Sequence, residues 1–321
     1  MSKLGVAAYH YVFRPLNAIG YGNLIRQGPV DTFRAYRGRR KLQRWVNHQL
    51  ATPAPTSVPT PTSVSLPHLC VAYLAGDSQR DLLVASLTSL HRHWPQLPAI
   101  RLLSDGALSA PLAESLERSF PNLLVIRDED QREQVEQCFP RHQFPVLRAV
   151  RDQYLHLRKM LDLCTLSAEW ILLLDADTLF LAEPRDLLAR LGARSQALYL
   201  QDRYDNAYGY PMEALQDLIP TPLLHRINAG LLALPISAID WQQVEHWLAL
   251  LSSAHGLNYF VEQALWALIL SSIGAAPLAH ADYICEPTRL QIRSGTGVFH
   301  HYVWPCRYLF YGYGWQATAR S

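Results

Sequence analysis

Two aspartates separated by one small residue follow an apolar run in the middle of the chain. Asp175 and Asp177 flank Ala176, and apolar residues lie on both sides of the pair. Two carboxylates at this spacing can both reach one divalent cation where a strand opens into a loop. Mn²⁺ or Mg²⁺ prefers such oxygen ligands and completes its shell with substrate phosphate oxygens. Because charges in apolar surroundings are costly unless they bind something, the pattern predicts a metal site, and a strand end without an ion is the alternative.

A second acidic string in the same chain has different surroundings. Asp128–Glu129–Asp130 also follows an apolar run, but the polar residues QREQVEQ come next. Acidic residues are favoured in the first turn of a helix, and this accounts for the string without a metal.

Phosphohydrolases of the haloacid dehalogenase type also carry a D-x-D-x-T string after a strand, and residues 175–178 match it. Their mechanism needs a lysine downstream, whereas the last lysine here is Lys159, which lies upstream. No G-D-x-x-x-D string follows either, so this class is largely excluded.

The elements around these acids alternate between short apolar runs and amphipathic stretches. We expect strands at Leu69–Ala75, Ile100–Leu103 and Leu123–Ile126, with helices between them. This alternation predicts an α/β fold with a mostly parallel sheet flanked by helices. Ligands bind such sheets beyond the carboxyl ends of the strands, where Asp77 and Asp105 lie. Both are candidate binding residues, and both could instead cap the following helices.

Two further helices are expected near these candidates. Residues 146–166 form a helix pattern with Arg158 and Lys159, which are either binding residues or part of a solvated face. An almost wholly apolar helix at 260–270 begins with Glu262 and Gln263. Glu262 could cap this helix or take part in catalysis, and the sequence favours neither role over the other.

Several short motifs, in order, resemble one enzyme class. The stretch EWILLLDADTLFL resembles the metal motif of nucleotide-sugar glycosyltransferases with the GT-A (Rossmann-like) fold. Asn228–Ala229–Gly230 resembles the N-A-G segment of glycosyltransferase family 8, which includes glycogenin-like and lipopolysaccharide galactosyltransferase-like enzymes. Glu262–Gln263 stands where the family has D-Q. His301 and Arg307 have the six-residue separation of its H-x-x-G-x-x-K motif, with Trp304 in place of the glycine.

The resemblance, over roughly residues 69–315, implies roles for these positions. Asp175, Asp177 and His301 would bind Mn²⁺ or Mg²⁺, with His300 as the alternative histidine. The other matched positions would contact the donor. Arg307 would contact its diphosphate, Arg158 or Lys159 the nucleotide sugar, and Asp77 the uracil. Asn228 and Gln263 would contact the sugar, while Asp105 stays a binding candidate by its place at a strand end alone.

The chain therefore resembles a metal-dependent glycosyltransferase that moves a sugar from a UDP-sugar to an unidentified glycan, lipid or protein acceptor. Family 8 implies retention of configuration; for inversion, Glu262 is the best candidate base. A same-fold nucleotidyltransferase is one alternative, although its glycine-rich phosphate loop is missing after the first strand. A non-catalytic protein that binds nucleotide sugars or carbohydrate is another.

The N-terminal part differs in charge from the rest. Residues 1–50 carry nine Lys/Arg and one acid, and the remaining 271 residues carry 20 Lys/Arg and 26 Asp/Glu, which gives +8 and −6. We expect a basic extension at 1–50, a Pro/Ser/Thr-rich linker at 51–67 and one catalytic domain at 68–321. A basic-aromatic helix at 29–46 could contact a membrane surface or dock on the acidic body. Nucleic acid is not an expected partner.

The cysteines and the apolar runs of the chain bear on its location in the cell. Five scattered cysteines without C-x-x-C spacing exclude a disulfide scaffold and a zinc cluster, and they suit a reducing cytoplasm. No secretory signal or membrane span is expected, so the predicted location is cytoplasmic or peripheral on the inner membrane face. The C-terminal aromatic residues could stack on an acceptor sugar or pack in the core; they are Tyr302, Trp304, Tyr308, Phe310, Tyr311, Tyr313 and Trp315.

Overall fold

A seven-stranded sheet forms the centre of the molecule, with strand order β3-β2-β1-β4-β7-β6-β8. The computed structural model describes residues 27–52, 66–94, 96–205 and 207–319. The strands of this sheet are β1 (Leu69–Ala75), β2 (Ala99–Ser104), β3 (Leu123–Ile126), β4 (Trp170–Leu174), β6 (Leu198–Gln201), β7 (Ile227–Pro235) and β8 (Ala276–Pro277).

The sheet is mixed but mostly parallel. Strand β1 pairs in parallel with β2 and β4, while β7 runs antiparallel to β4 and β6. All five residues of β4 are buried, as expected of a central strand covered on both faces. The predicted α/β class, with a mostly parallel sheet flanked by helices, is confirmed.

A small second sheet brings a distant part of the chain to the end of β4. It has the order β5-β10-β9, from β5 (Thr178–Phe180), β9 (Tyr283–Cys285) and β10 (Phe299–His301). In the antiparallel β10–β5 ladder, His301 lies opposite Thr178. The histidine is thereby fixed beside the loop that carries Asp175 and Asp177.

Helices cover both faces of the large sheet, and each face has its own apolar core. The helices are α1 (Pro29–Ala51), α2 (Arg80–His93), α3 (Ala110–Ser119), α4 (Asp128–Cys138), α5 (Pro145–Gln153), α6 (Leu155–Leu161), α7 (Arg185–Ala193), α8 (Met212–Gln216), α9 (Trp241–His255), α10 (Val261–Ser272) and α11 (Arg289–Ser294). A C-terminal segment of short helical turns covers residues 304–319.

The single helix expected at 146–166 is wrong, because the chain breaks at Tyr154. The backbone of Tyr154 is extended (φ −118°, ψ 105°) between α5 and α6. Across this break, the guanidinium of Arg151 donates to the buried carboxylate of Asp162, at 2.6 and 2.9 Å. In a straight helix these residues would be about 16 Å apart, so the ion pair requires the break.

The N-terminal helix α1 packs on the body. Its side chains Leu42 and Val46 are fully buried in the core that also holds Trp315. Residues 1–26 and most of the expected linker (53–65) lie outside the described residues, so the proposed domain boundaries stay a prediction. Within the described parts of the chain, no helix combines the length and the hydropathy needed to cross a bilayer.

Candidate functional site

Three side chains meet at the carboxyl end of β4. The loop between β4 and β5 carries Asp175 and Asp177, and His301 ends β10; their ligand atoms lie within 4.8 Å of one another. The Nε2 atom of His301 is 3.3 Å from an oxygen of each aspartate. Neighbouring ligands of an octahedral ion with bonds of about 2.1 Å are about 3 Å apart. The three groups therefore fit one Mg²⁺- or Mn²⁺-sized ion.

Backbone hydrogen bonds hold the loop in place. Asp175 donates its N–H to the carbonyl of Gly230 (3.1 Å), and Asp177 accepts from the N–H of Tyr302 (2.9 Å). The hydroxyl of Thr178 donates to the carbonyl of Asp175 (2.8 Å). Strand β7 and the residue that follows β10 thus hold both aspartates in place.

Asn228 sets the orientation of the His301 ring. Its Oδ1 accepts from the N–H of Gly230 (2.9 Å) and lies 2.8 Å from Nδ1 of His301. An oxygen can only accept there, so Nδ1 carries a hydrogen and Nε2 is the atom turned to the aspartates.

Gly230 leaves the space that the imidazole occupies. A Cβ at this position would lie 2.1 Å from Nδ1 of His301. Every larger residue would push the ring away from the acids. The N-A-G string thus has a physical reason at both its asparagine and its glycine.

Each aspartate shares its two oxygens between His301 and a cation. Lys159 Nζ lies 2.6 Å from Oδ1 of Asp175, whose Oδ2 faces the histidine. Arg307 Nη2 lies 2.5 Å from Oδ2 of Asp177, whose Oδ1 faces the histidine. Both carboxylates are thereby held in one orientation, with one oxygen each available for an ion.

The charges shift the pKa values of all three ligand groups. Burial alone would raise the pKa of Asp175, but Lys159 and His301 lower it below its usual range. The pKa of Asp177 is also lowered, since His301 and Arg307 outweigh burial. Burial would lower the pKa of His301, yet the two aspartates raise it well above its ordinary value. Without an ion, therefore, the acids are ionised and the imidazole is protonated at neutral pH.

Glu262 lies behind Lys159. The Nε1–H of Trp266 donates to Glu262 (2.8 Å), and Lys159 Nζ is 3.9 Å away while it also donates to the carbonyl of Ala229 (2.5 Å). Burial raises the pKa of Glu262 to about 7, against the lowering effect of Lys159. This carboxyl can hold or release a proton near neutral pH.

Asp202 is a site residue that the sequence analysis missed. Its carboxylate accepts from Nδ2 of Asn228 (2.7 Å) and lies 3.4 Å from Nε2 of Gln263, which also donates to the carbonyl of Ile227. Asp202 directly follows β6, just as Asp77 follows Gly76 at the end of β1. Applying the strand-end rule to this strand as well would have found it.

The two adjacent histidines point in different directions. The ring nitrogens of His300 lie 2.7 Å from the carbonyl of Thr296 and 3.2 Å from the hydroxyl of Tyr302. Burial lowers the pKa of His300 to about 4. The structure brings His301, and not His300, to the acid pair.

Three further candidates lie outside the cluster. Asp77 accepts from the N–H of Ser109 (2.8 Å), and Asp105 accepts from the N–H of Ala107 (2.7 Å), so both hold the loop before α3. Arg158 pairs with Asp128 (2.9 Å). Of the two neighbouring cations, only Lys159 reaches the acid pair, and the nucleotide contacts of the other three residues stay a prediction.

Most of the C-terminal aromatic residues serve packing. Tyr302, Phe310 and Trp315 are buried in the core, whereas Trp304 is 46% exposed. Near the acid pair, the exposed ring of Tyr259 meets the ring of His156, with centroids 4.9 Å apart. Packing is thus the role shown for the buried rings, and stacking on an acceptor sugar stays a prediction.

Comparisons with known proteins find similarity in solved structures alone. No protein-family model matches the chain, and no curated protein does. Galactosyltransferase LgtC, with donor and acceptor sugar analogs, is 14% identical with a TM-score of 0.49, covering 78% of this chain and 95% of LgtC. Mouse xyloside xylosyltransferase 1 is 11% identical (TM-score 0.49; 74% and 98% covered). The mannosyltransferase Ktr4p of S. cerevisiae is 8% identical (TM-score 0.48; 86% and 90%). The chain is thus similar to these three glycosyltransferases at identities of 8–14% and TM-scores below 0.5.

Proposed function

We propose that the protein is a metal-dependent glycosyltransferase that takes a sugar from a nucleotide-sugar donor, a UDP-sugar by its motifs. One observation carries the proposal: each aspartate of the pair turns one oxygen towards His301 and the other towards a cation. Three ligand atoms are thereby preorganised for an ion while two cations stand beside it.

The charges of the site suit a diphosphate. Lys159 and Arg307 cancel the charges of Asp175 and Asp177, so these four side chains are neutral together. A divalent ion held by the two acids and His301 would supply positive charge against the developing charge of the leaving nucleoside diphosphate. The side chain of Arg307 is 36% exposed, so its planar guanidinium can also meet a phosphate group.

The residues behind the acid pair suit the sugar side of the reaction. Gln263 and Asn228 are held by Asp202, and Glu262 lies close to Lys159. In a retaining reaction, the outcome that the motifs imply, Glu262 or Gln263 would steady the oxocarbenium-like centre. In an inverting reaction, Glu262 would accept the acceptor proton, for which a pKa of about 7 is well placed. The anomeric configuration of the product, read by NMR, distinguishes the two.

The test is nucleotide release with Mn²⁺ and a panel of UDP- and GDP-sugars, with and without candidate acceptors. Asp177→Ala should abolish release, and the matched variant Asp130→Ala, in the other acidic string, should leave it unchanged. Release that needs no metal, or that survives in Asp177→Ala, contradicts the proposal. Affinity for a nucleotide sugar without any release would make the protein a binding protein instead.

A further inference from the structure

We propose that the outward face of helix α1 docks on an anionic bilayer surface. This basic outer face consists of four cations, Arg37, Arg40, Lys41 and Arg44, and three apolar side chains, Val30, Phe33 and Tyr36. The inference goes beyond the proposed function and does not depend on it.

The inner face of α1 is fixed to the body, so its outer face has a defined direction. A Cβ on Gly38 would lie 1.8 Å from the carbonyl oxygen of Tyr311, which shows that the two backbones touch. Asp31 is buried, pairs with Arg289 and accepts from the hydroxyl of Tyr313 (2.8 Å). The only acid of the helix therefore points inward.

The outer face combines positive charge with exposed apolar surface. Val30, Phe33 and Tyr36 are 63%, 59% and 55% exposed, all within the first two turns. Arg37 lies over the ring of Phe33 and Arg40 over that of Tyr36, at 5.5 and 5.0 Å. Lys and Arg are attracted to anionic headgroups, and exposed aromatic and apolar side chains can enter the headgroup region beside them.

Residues from a later part of the chain are exposed near the start of the helix. Leu290 follows the arginine that pairs with Asp31 and is 77% exposed. An open cavity of about 410 Å³ lies alongside, lined by Arg34, Arg293 and Tyr313, among others. Two guanidinium groups at one cavity suit the phosphate of an anionic lipid headgroup.

A bilayer fits this face better than a nucleic acid does. The chain after residue 50 carries a net charge of −6, so a long polyanion that extended past α1 would meet an acidic body. A bilayer is flat and touches only the outermost face. Val30 and Phe33 also gain from the acyl boundary, whereas a phosphate backbone offers them no apolar surface.

Helix α1 packs against the C-terminal segment that carries Arg307. The guanidinium of Arg39 is 5.4 Å from the ring of Tyr311, one turn after Arg307 in the C-terminal segment. A bilayer held by α1 would therefore lie on the side of the molecule that carries Arg307.

The test is co-sedimentation of the full chain with phosphatidylcholine vesicles, with and without phosphatidylglycerol, in the absence of any sugar donor. We expect binding only to the anionic vesicles at about 0.1 M salt, and its loss at about 1 M, where the Debye length falls from about 10 Å to about 3 Å. The triple variant Arg37→Glu, Arg40→Glu, Arg44→Glu should weaken binding by at least about 100-fold, since each juxtamembrane cation contributes about fivefold and three acids replace them.

Two further variants separate the bilayer from other partners. Phe33→Ser with Tyr36→Ser keeps every charge and should also weaken vesicle binding, because the apolar turn is lost. The control Arg141→Glu, Arg185→Glu, Arg194→Glu reverses three exposed arginines elsewhere and should bind vesicles as the parent does. Unchanged binding in either α1 variant, or tighter binding to duplex DNA than to anionic vesicles at the same salt, overturns the proposal.

Discussion

The chain contains two acidic strings, each directly after a strand or one residue beyond it, and their surroundings differ in one decisive way. Asp128 opens helix α4 and pairs with Arg158 (2.9 Å) and Arg132 (2.7 Å), so its charge is satisfied by arginines and by the helix end. Asp175, after β4, pairs with Lys159 through one oxygen only and turns the other to His301.

The two acidic strings differ in the element of structure that follows each of them in the chain. After β3 the chain turns directly into a polar helix, and Glu129 and Asp130 are exposed in its first turn. After β4 it makes a short loop into β5, which pairs with β10 and so brings a histidine from the end of the chain. An acid–x–acid string is therefore a candidate metal site when another strand, here β10, places a third ligand beside it.

The largest expected difference between the strings is in metal affinity. Asp175→Asn should weaken Mn²⁺ binding by at least about 100-fold, because loss of an outer-shell partner alone typically costs 10–100-fold. Asp128→Asn should leave the affinity within about twofold. Titration followed by the Mn²⁺ electron paramagnetic resonance signal measures both, and circular dichroism checks that each variant is folded. Equal affinities in the two variants would remove the distinction between the strings.

The next largest effect on Mn²⁺ affinity concerns the position of the His301 ring. In Gly230→Ala, the new methyl carbon would lie 2.1 Å from Nδ1 and displace the ring, so Mn²⁺ affinity should fall about 10–100-fold. The nitrogen hyperfine coupling of bound Mn²⁺ should be lost as well, which a general loss of stability would not cause.

Gly312→Ala is the matched control for that variant. Gly312 is also buried, but a Cβ there meets its nearest atom at 3.7 Å, an ordinary contact. The affinity and the nitrogen coupling should both be retained. If Gly230→Ala keeps the nitrogen coupling, His301 is not the third ligand.

Protons should compete with the ion at one string only. The aspartates raise the pKa of His301 well above its ordinary value, so the ion must displace a proton from Nε2. Below that pKa, Mn²⁺ affinity should rise with pH by up to about tenfold per unit, and above it the dependence should flatten. Calorimetry in buffers of different ionisation enthalpy should show the release of about one proton. No release would mean that the imidazole is neutral before the ion binds.

The sequence predicted strands β1, β2 and β3, the acid pair and its distant histidine, because each is a local pattern or a matched motif, but it did not predict the second sheet. It did not predict the break at Tyr154, which is set by Arg151 and Asp162 meeting across it. Nor could it choose between Arg158 and Lys159, since adjacent helix residues point about 100° apart and only packing decides which one reaches Asp175. The inward direction of Asp31 likewise depends on Arg289, far along the chain.

The smallest expected effect is on stability at the helical string. Asp128→Asn removes two ion pairs and a favourable charge from the first turn of α4, so the free energy of unfolding should fall by about 1–2 kcal/mol. Because Asp130 is exposed and the pairs involve Asp128, Asp130→Asn should cost less than about 0.5 kcal/mol. Urea unfolding, with and without Mn²⁺, measures both values. The stabilisation that Mn²⁺ adds should be equal in the two variants and the parent, since the ion is held at the other string; a smaller gain in Asp128→Asn would show that Arg158 couples the two regions.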